Sequence, residues 1–523
     1  MKRLLALAGV TVLLLLFGPA GAADVLSESA RLPVTEHTLK NGMRFLIVER
    51  RESPTFAAYI RFKVGSVNEV PGQTGLAHLL EHMMFKGTAL FGSTDPGREQ
   101  ALLDRIDALH RELQTERRQA KRPGTTPAAG RVAAIEQELA VLETQAKGFI
   151  VRNELWEIYR RNGGTSLNAS TSRDGTQYFI SLPKNRLELW ALLESDRMRN
   201  PVFREFYTER DVVQEERRQR VDTNPRGQLM EAALATAFTA VPYRHPVLGW
   251  PGDLENLNRP QAQAYFKTHY APNNALAVLV GDLDPAAVIR VVEQYFGDLP
   301  AQPLPVPPRL EEPPQTGERR VRVEYPAEPS LLMLYQAPAL GHSDTYAVAV
   351  LGSLLGEGRS SRLYKRLVEE RRLATSVAAG PWFLQHAGLF MIQATPRAPH
   401  TADEVEAAIS EEIARLAADP PTPREMLKVR NQAEVEAVGQ LASNAGLASQ
   451  LGNAWALTGD WRTLFTDREK LQAVTAEEVR DAAQSYLVPR RRTVAALIRG
   501  SGTAPAVAGA PRPLATHQPW DVK

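Results

Sequence analysis

A proline-rich stretch near the middle of the chain, residues 299–318, most constrains how this sequence can fold. It reads LPAQPLPVPPRLEEPPQTGE, and prolines at that density prevent both a regular helix and a central strand. A chain of 523 residues is also too long for one hydrophobic core. We therefore predict a linker at residues 299–318 between a first domain at residues 30–298 and a second at residues 319–505, followed by a tail at residues 506–523.

The sequences on the two sides of this linker resemble each other. The segment LNRPQAQAYFKTHYAP, which begins at Leu257, aligns with VTAEEVRDAAQSYLVP, which begins at Val474. An apolar strand follows each, ALAVLV and TVAALI, and Pro272 and Pro489 are 217 residues apart (489 − 272). Helices and strands are mixed without a regular βαβ rhythm, which favours an α+β fold. The repeat predicts two homologous domains, each a mostly antiparallel sheet packed with helices.

Composition excludes several classes of function. Lys and Arg number 62 against 60 Asp and Glu, a balance that gives no reason to expect a nucleic acid or an anionic membrane as partner. The chain has no cysteine, which excludes disulfides, thiolate metal sites and cysteine nucleophiles. Any metal ion must therefore be bound by His, Asp or Glu.

The first 23 residues have the features of a secretory signal peptide. Lys2 and Arg3 precede an apolar run at residues 4–17, and the small residues at 20–23 offer a cleavage site. The run is short for a bilayer span, although an uncleaved membrane anchor is the alternative. No cysteine follows it, which excludes a lipoprotein anchor. We expect a periplasmic or secreted protein with no membrane span after signal removal.

A segment at about residues 95–150 has a helical periodicity of its own. Apolar residues recur at 4, 3, 4 spacing before the break KRPGTTPAAG and again after it: Leu102, Ile106, Leu109 and Leu113, then Ile135, Leu139, Leu142 and Ala146. This pattern predicts an antiparallel helical hairpin inserted in the first domain. Its other positions are heavily charged, so we interpret it as a solvated projection without chemistry, with a docking arm for a partner as the alternative.

The stretch GLAHLLEHMMFKG, residues 75–87, carries candidate metal ligands. Residues four apart share a face of a helix, so His78 and His82 can reach one ion, with Glu81 beside them. Two imidazoles and a nearby carboxylate form part of a zinc site, and a helix with buried core histidines is the equally weighted alternative. Four apolar residues would exclude water from such a site: Leu76, Leu79, Leu80 and Met83.

A catalytic zinc ion needs a third protein ligand and one open position. The helical stretch YTERDVVQEERRQRVDTNP offers one, because Glu209 and Glu216 lie seven residues apart, two turns along one stripe. Glu215 would point roughly 120° away from Glu209. Taken alone, this segment is more often a charged, solvated helix without a metal.

Together, these segments resemble a known family. HLLEH followed by MMFKGT, then GGTSLNASTSRDGTQYF and ERDVVQEE, are similar to the pitrilysin or insulinase group of zinc peptidases, whose motif reverses the order of H-E-x-x-H. The closer resemblance is to the short bacterial members related to the mitochondrial processing peptidase, and it covers residues 35–499. It implies a zinc metalloendopeptidase that hydrolyses extended peptides or unfolded segments.

The resemblance also implies roles for individual residues. It implies three zinc ligands: His78, His82 and Glu216. Glu81 is then the general base that acts on the zinc-activated water, and Glu209 is an acidic residue that supports the site. Asn168 and Ala169 fall in the family's edge strand, which pairs with an extended peptide substrate.

Two departures from the family pattern are present. Between His82 and Glu216 lie 133 residues (216 − 82 − 1), more than the family usually has, and the hairpin accounts for the excess. In the second domain, GRSSRLYKRLVEERRLATSV matches a family segment that normally holds a substrate-binding Arg and Tyr, and these positions are Val368 and Thr375 here. We hypothesise a heterodimer in which this chain contributes zinc and a homologous subunit without zinc contributes the Arg and Tyr.

Two alternatives to the heterodimeric peptidase remain. In a homodimer, the nearby Arg371, Arg372 or Tyr364 would substitute for the missing pair. In a different class of function, the chain would be a non-catalytic scaffold or interaction subunit of an exported complex. Scaffold members of the family usually lose motif residues, whereas this chain keeps all of them.

Overall fold

The computed structural model describes residues 32–120, 129–305 and 310–500 and contains two β-sheets. The strands are β1 Val34–Thr38, β2 Arg44–Glu49, β3 Thr55–Phe62, β4 Thr165–Thr171, β5 Thr176–Pro183, β6 Ala275–Gly281, β7 Arg319–Tyr325, β8 Ser330–Ala337, β9 Ala374–Phe383, β10 Gly388–Pro396 and β11 Arg492–Arg499. The helices are α1 Leu76–Met83, α2 Pro96–Ala120, α3 Ala129–Lys147, α4 Glu154–Arg161, α5 Leu187–Arg199, α6 Phe206–Arg217, α7 Pro225–Ala237, α8 Pro251–Asn256, α9 Arg259–His269, α10 Pro285–Phe296, α11 Thr345–Gly356, α12 Ala402–Ala418, α13 Pro423–Leu441, α14 Asn444–Thr458, α15 Thr463–Ala473 and α16 Ala476–Tyr486. The predicted signal peptide and tail lie outside the described residues. Within them, no helix combines the length and the apolar character needed to cross a membrane.

The two sheets have the same strand order. The first sheet, which defines the first half of the molecule, has the order β1-β2-β6-β3-β5-β4, with β2 and β6 parallel and the other neighbours antiparallel. The second sheet, which defines the second half, has the order β7-β11-β8-β10-β9, with β7 and β11 parallel and the other neighbours antiparallel. From β2 onward, each strand of the first sheet therefore has a counterpart of the same direction in the second. The predicted α+β fold with two homologous domains is confirmed.

The repeated sequence segments occupy equivalent places in the two halves. Helices α9 and α16 each begin with a capping box, formed by Asn258 in the first and Thr475 in the second. Pro272 and Pro489 each start a short 3-10 turn that leads into a central strand, β6 or β11. These strands are apolar runs without alternation because both of their faces are covered.

The two halves exchange helices. Helix α14 of the second half packs on β3 and β6 of the first sheet, where Leu451 and Trp455 join a core with Tyr59 and Val278. Helix α7 of the first half packs on β7, β8 and β11 of the second sheet, where Leu234 joins a core with apolar residues of β8 and β11. Each exchanged helix buries apolar surface that the receiving sheet would otherwise expose to water.

The described part of the proline-rich linker is bound to both halves. The Glu312 carboxylate accepts hydrogen bonds from the backbone N–H groups of Ala240 and Val241 in the first half, at 2.9 and 3.0 Å. The side-chain amide of Gln315 donates to the carbonyl of Arg492 in the second half at 2.6 Å. The predicted domain limits on either side of this linker stay predictions.

The inserted hairpin, formed by α2 and α3, has the predicted antiparallel arrangement. Apolar residues of the two helices join the main core of the first half: Ile106, Leu109, Leu113, Ile135 and Leu139. The interpretation of the hairpin as a solvated projection is wrong for its base, because Glu99 and Asp107 are only 1% and 5% exposed. These two acids contact the rest of the first half, as described below.

Candidate metal centre

The N-terminal end of helix α1 is held in place by Gly75 and by the carboxylate of Glu69. Gly75 precedes it with a φ of 88°, in the left-handed region that favours glycine. The N–H groups of Gly75 and Ala77 have no partner within the helix, and they donate to the two oxygens of the buried Glu69 carboxylate at 2.9 and 2.7 Å. Burial raises the pKa of Glu69 to about 8. The four apolar residues expected to exclude water are buried: Leu76, Leu79, Leu80 and Met83.

Three of the predicted site residues converge on one point. His78 and His82 lie one turn apart on α1, and their Nε2 atoms lie 3.8 and 3.6 Å from the same atom, Oε2 of Glu216 on α6. One donor atom from each of the three side chains lies within 4.8 Å of the other two. The structure thus brings together two imidazoles and a carboxylate from two helices, and their binding of zinc stays a prediction.

The donor set fits a tetrahedral zinc ion. Zinc bonds of about 2.0–2.1 Å to nitrogen and oxygen place neighbouring ligand atoms about 3.3 Å apart. The separations of 3.6 and 3.8 Å found between the histidines and Glu216 are close to that distance. The other oxygen of Glu216 lies 2.9 Å from the guanidinium of Arg220, which leaves Oε2 for the ion. Three protein ligands and an open fourth position are typical of catalytic zinc.

The two histidines differ in their surroundings. Burial, with the neighbouring His82 and Arg220, lowers the pKa of His78 well below its ordinary value, so the ring is neutral and able to ligate. Burial also acts to lower the pKa of His82, but the hydrogen bond with Glu209 and the negative charges of Glu209, Glu216 and Glu81 together outweigh it, and the pKa is raised. Nδ1 of His82 lies 3.4 Å from Oε2 of Glu209. This contact orients the ring with Nε2 toward Glu216.

Glu209 supports the site from behind His82 and is itself held by a cation. The ammonium of Lys86 contacts Oε1 of Glu209 and lies 3.5 Å from Oε2 of Glu205. Burial acts to raise the pKa of Glu209, but the bonds from His82 and Lys86 lower it below its ordinary value. An ionised Glu209 is the form that accepts a hydrogen bond from the Nδ1–H group of His82, as the predicted supporting role requires.

The predicted general base lies beside the three converging residues. Glu81 directly precedes His82 in α1, and its Oε2 accepts a hydrogen bond from Oγ1 of Thr171 at 2.5 Å. Burial raises the pKa of Glu81 above its ordinary value. Because Thr171 is the last residue of β4, this bond connects the helix that bears the histidines to the edge strand of the sheet.

Strand β4 lies at the edge of the first sheet, where it pairs with β5 alone among the described strands. Asn168 is opposite Phe179 of β5, and Ala169 is opposite Tyr178. Alternate residues of a strand face opposite sides of a sheet, so Ala169 is on the side of Thr171 and α1, and Asn168 is on the other side. The free edge offers backbone N–H and C=O groups to an extended peptide.

The positions at which the family resemblance expects an Arg and a Tyr lie in the second half. Val368 packs against the second core, in the helical turn before β9. Thr375 is exposed on β9, and its hydroxyl donates to the carbonyl of Thr395 at 3.3 Å. Among the residues considered as substitutes, Arg371 pairs with Glu411 at 2.7 Å. Val368 and Thr375 supply neither a cation nor a phenol.

Three residues that hold the site were not predicted from the sequence: Thr171, Lys86 and Arg220. Arg220 lies four residues after Glu216, a spacing that indicates an ion pair on a helix and could have identified it. Lys86 and Thr171 belong to the quoted segments FKGT and NASTSRDG, but Thr171 meets Glu81 across 90 residues of chain. No local pattern identifies partners that are so distant.

The chain matches two related family profiles. The profile described as Insulinase (Peptidase family M16) matches residues 44–96 and 149–249, which include all three converging residues. The profile described as Peptidase M16 inactive domain matches residues 256–433, from the end of the first half into the second. The match to the second profile therefore begins after the metal centre.

Relatives and a solved structure match over most of the chain. It is 28% identical over 461 residues to the Zinc protease PqqE of Helicobacter pylori, covering 86% of this chain and 87% of the relative. It is 23% identical over 471 residues to the mitochondrial-processing peptidase subunit beta of Lentinula edodes, covering 87% and 88%. A crystal structure of a protease from Helicobacter pylori superposes with a TM-score of 0.74 and 25% identity, covering 89% of this chain and 99% of that one. The profiles, the relatives and the fold agree, and the chain belongs to the insulinase family, peptidase family M16.

Proposed function

We propose that this chain is a zinc metalloendopeptidase that hydrolyses extended peptides or unfolded segments. The observation that carries the proposal is the convergence of His78, His82 and Glu216 next to Glu81, within an apolar surround. Relatives named zinc proteases support the same metal. Nitrogen and oxygen donors without thiolates are also the set found in zinc peptidases that activate water.

The chain's own residues are placed for proton transfer during hydrolysis. When bound, zinc polarises a peptide carbonyl and lowers the pKa of water toward about 7. Glu81 then takes a proton from the attacking water and delivers it to the nitrogen of the leaving amine. The hydroxyl of Thr171 donates a hydrogen bond to Oε2 of Glu81, which leaves Oε1 to accept the proton. The raised pKa of Glu81 suits both steps, because a carboxyl group with a pKa nearer neutrality accepts and releases a proton readily.

Strand β4 is the proposed substrate platform. A peptide that pairs with its free edge at Asn168 and Ala169 is held extended by backbone hydrogen bonds, which read little sequence. Because Thr171 ends the same strand and bonds to Glu81, such a peptide lies alongside the base. This arrangement supports a broad specificity for extended or unfolded chains over recognition of a folded substrate.

We further propose that the chain is the metal-bearing subunit of a heterodimer. The support is that the first half holds all three candidate zinc ligands, whereas the second half has Val368 and Thr375 where the family segment normally holds an Arg and a Tyr. A homologous subunit without zinc would supply that pair. One relative is itself named a subunit, the mitochondrial-processing peptidase subunit beta.

Export to the periplasm or beyond is also a proposal, supported by the signal-like sequence at residues 1–23. Intact-mass measurement of the protein purified from its host tests it. We expect a mature chain that begins near residue 23 or 24. A chain that retains the apolar run would support a membrane anchor instead.

Metal analysis and a peptidase assay test the proposed activity together. We expect about one zinc ion per chain, and hydrolysis of an unfolded protein that increases when the homologous subunit from the same host is added. A wild-type chain that stays zinc-free in zinc-containing buffer would overturn the peptidase and favour a scaffold. Full hydrolysis by the chain alone, without any gain from the homologue, would overturn only the heterodimer.

A further inference from the structure

We propose that the base of the inserted hairpin holds helix α6 in the position from which Glu216 reaches the two histidines. Glu99, Asp107 and His110 of the hairpin are then positioning residues, which act on the metal centre through α6. The inference builds on the proposed zinc site. It assigns a role to a segment that carries no ligand of its own.

The hairpin lies outside the matched parts of the family profile. That match stops at residue 96 and resumes at residue 149. Helices α2, Pro96–Ala120, and α3, Ala129–Lys147, lie between these two points. The contacts between the hairpin and α6 are therefore made by a segment that this chain adds to the matched family sequence.

The first contact is a buried ion pair at the junction of the two ligand-bearing helices. Nε of Arg204 donates to both carboxylate oxygens of Glu99 at 2.9 and 2.8 Å, and both side chains are 1% exposed. The same guanidinium donates to the carbonyls of Lys86 and Thr88, in the loop after α1, at 3.2 and 2.7 Å. Glu99 thus neutralises the Arg204 guanidinium, which connects this loop to the start of α6. Without Glu99, the buried positive charge would be unpaired and would destabilise the fold.

The second contact holds the first turn of α6. The hydroxyl of Tyr207 donates to Oδ1 of Asp107 at 3.0 Å. The ring of Tyr207 stacks on the imidazole of His110, with centroids 3.4 Å apart and planes 19° apart. Asp107 also pairs with the buried guanidinium of Arg259, on α9, at 2.8 Å. Tyr207 and Asp107 are only 6% and 5% exposed, so water does not compete strongly for these bonds.

Apolar packing accompanies these polar contacts. Leu103 and Ile106 of α2 line a partly open cleft together with Phe203 and Phe206, which lie at or just before the start of α6. All four side chains are buried, and three of them, Ile106, Phe203 and Phe206, belong to the main core of the first half. The hairpin base and the start of α6 therefore share one apolar core, and a tilt of α6 away from the hairpin would expose part of it to water.

The length of α6 converts a small tilt at its start into a large movement at Glu216. Glu216 lies nine residues after Tyr207 (216 − 207), a distance of about 14 Å along the helix axis. A tilt of about 10° at Tyr207 would move Glu216 by about 2 Å. That movement is more than half of the 3.6 Å between Glu216 and His82, so the hairpin contacts decide whether the donor atoms share one ion.

Zinc affinity tests the inference, measured on the full chain by competition with a chelating dye. For His110→Ala, which removes the ring that stacks on Tyr207, we expect the Kd for zinc to rise about tenfold, as when other groups behind a metal ligand are removed. His110→Phe keeps an aromatic face and is expected to stay within about twofold of wild type. Nε2 of His110 makes no hydrogen bond among the described residues and lies 3.6 Å from Oε1 of Glu143, a contact within the hairpin that both variants remove. Arg105→Ala, which breaks an exposed pair with Glu138 on the same hairpin, is the matched control and should bind zinc as wild type does.

Wild-type affinity in His110→Ala would overturn the inference, and so would an equal loss in Arg105→Ala. A His110→Phe variant as weak as His110→Ala would overturn the role of the stack. If His110→Ala fails to fold, Tyr207→Phe removes only the hydroxyl bonded to Asp107 and is expected to raise the Kd about threefold; an unchanged Kd would contradict us. A wild-type chain that binds no zinc would instead refute the proposed function, which is a separate result.

Discussion

Helix α1 of the first half carries two imidazoles and a carboxylate, whereas helix α11 of the second half is apolar through most of its length. Both helices pack beside the edge strand of their own sheet, α1 next to β4 and α11 next to β9. The sequence of α11, TYAVAVLGSLLG, contains no ionisable group except the Tyr346 phenol. The same place in the repeated fold therefore holds candidate metal ligands in one half and a hydrophobic core in the other.

The second ligand-bearing helix shows the same difference. Helices α6 and α13 begin at residues 206 and 423, which are 217 residues apart (423 − 206), the offset already found between the repeated segments. At that offset, Glu209 and Glu216 correspond to Met426 and Ala433. Met426 is 5% exposed and belongs to the second core. The two acids of the first half are thus replaced by apolar residues.

The comparison separates what determines the fold from what determines the chemistry. Both halves reach the same strand order with different helix sequences, because the fold depends on the apolar pattern and the turns. Five polar residues on two helices distinguish the proposed active half: His78, Glu81, His82, Glu209 and Glu216. Function therefore depends on a site placed on the fold and does not follow from the fold alone.

Replacing Glu216 should have the largest effect on this comparison, because it makes the first half resemble the second. Glu216→Gln removes the only carboxylate among the three donors, and we expect the bound zinc to fall to nearly none and hydrolysis to be lost. Metal analysis and a peptidase assay measure both. Glu215→Gln is the matched control, since Glu215 pairs with Arg218 at 2.6 Å and should leave both values unchanged. Retention of zinc by Glu216→Gln would refute the assigned ligand.

Replacing Glu81 should remove the chemistry and leave the metal. Glu81→Gln keeps the shape of the side chain but cannot accept a proton, so we expect kcat to fall about 10³-fold while zinc content stays near wild type. Single-turnover hydrolysis and metal analysis distinguish this result from a loss of zinc. A variant that lost both together would place Glu81 among the ligands. Normal activity would exclude it as the base.

Introducing the family's Arg and Tyr into the second half tests whether that half has lost a role in substrate binding. The double variant Val368→Arg and Thr375→Tyr should raise kcat/KM of the chain alone by about tenfold, because a charged hydrogen bond to substrate contributes roughly 1.5–3 kcal/mol and burying Arg at Val368 costs part of it. Steady-state kinetics without the homologous subunit measure the gain. Thr375→Phe, which adds a ring without a phenol, is the control and should give no gain. An unchanged kcat/KM in the double variant would argue that substrate binding does not depend on an Arg and a Tyr at these two positions.

The smallest expected effect is a change in the free energy of unfolding with pH, and its direction differs between the two halves. Burial raises the pKa of Glu69 to about 8, so its stabilising contribution is complete below about pH 4.5 and is lost as the pH rises toward 8. In the second half, the bond from Arg362 lowers the pKa of Glu425 to about 2, so its contribution is present above pH 4.5 and is lost as the pH falls toward 2. Between pH 5 and 8 we therefore expect the free energy of unfolding of the wild type to fall.

Denaturant unfolding of wild type and Glu69→Gln at pH 5 and pH 8 checks this expectation. The variant cannot ionise at this position, so its stability should change less between the two pH values. Glu425→Gln is the control from the second half. Its free energy of unfolding should change between pH 5 and pH 8 by as much as that of the wild type. An equal change in the free energy of unfolding in all three proteins would show that Glu69 is ionised over the whole range from pH 5 to pH 8.

Much of the fold and the main site residues could be predicted from the sequence. The repeat around Pro272 and Pro489 indicated two homologous domains, because capping residues and turn prolines are local signals. His78 and His82 could be paired from their spacing, because four residues are one helical turn. Glu216, and not Glu215, could be placed on one stripe with Glu209 because seven residues are two turns, whereas its role as the third ligand came from the family resemblance.

The remainder depends on contacts between distant parts of the chain. The exchange of α7 and α14 has no local signal, since an apolar helix face does not reveal which sheet it covers. The hairpin was interpreted as solvated because its charges are many, but the charge of Glu99 faces Arg204 and not water. Charge pattern alone cannot show which few carboxylates of a helix are buried, since each needs a partner far away in the sequence.

The exchange of α7 and α14 also bears on how the molecule can be divided. A cut in the linker should leave two fragments that remain bound, because each holds the helix that covers the other's sheet. Either fragment produced alone would present bare apolar strands and should aggregate. The half that carries the candidate metal ligands should therefore not persist as an independent unit, and truncation is a poor way to isolate it.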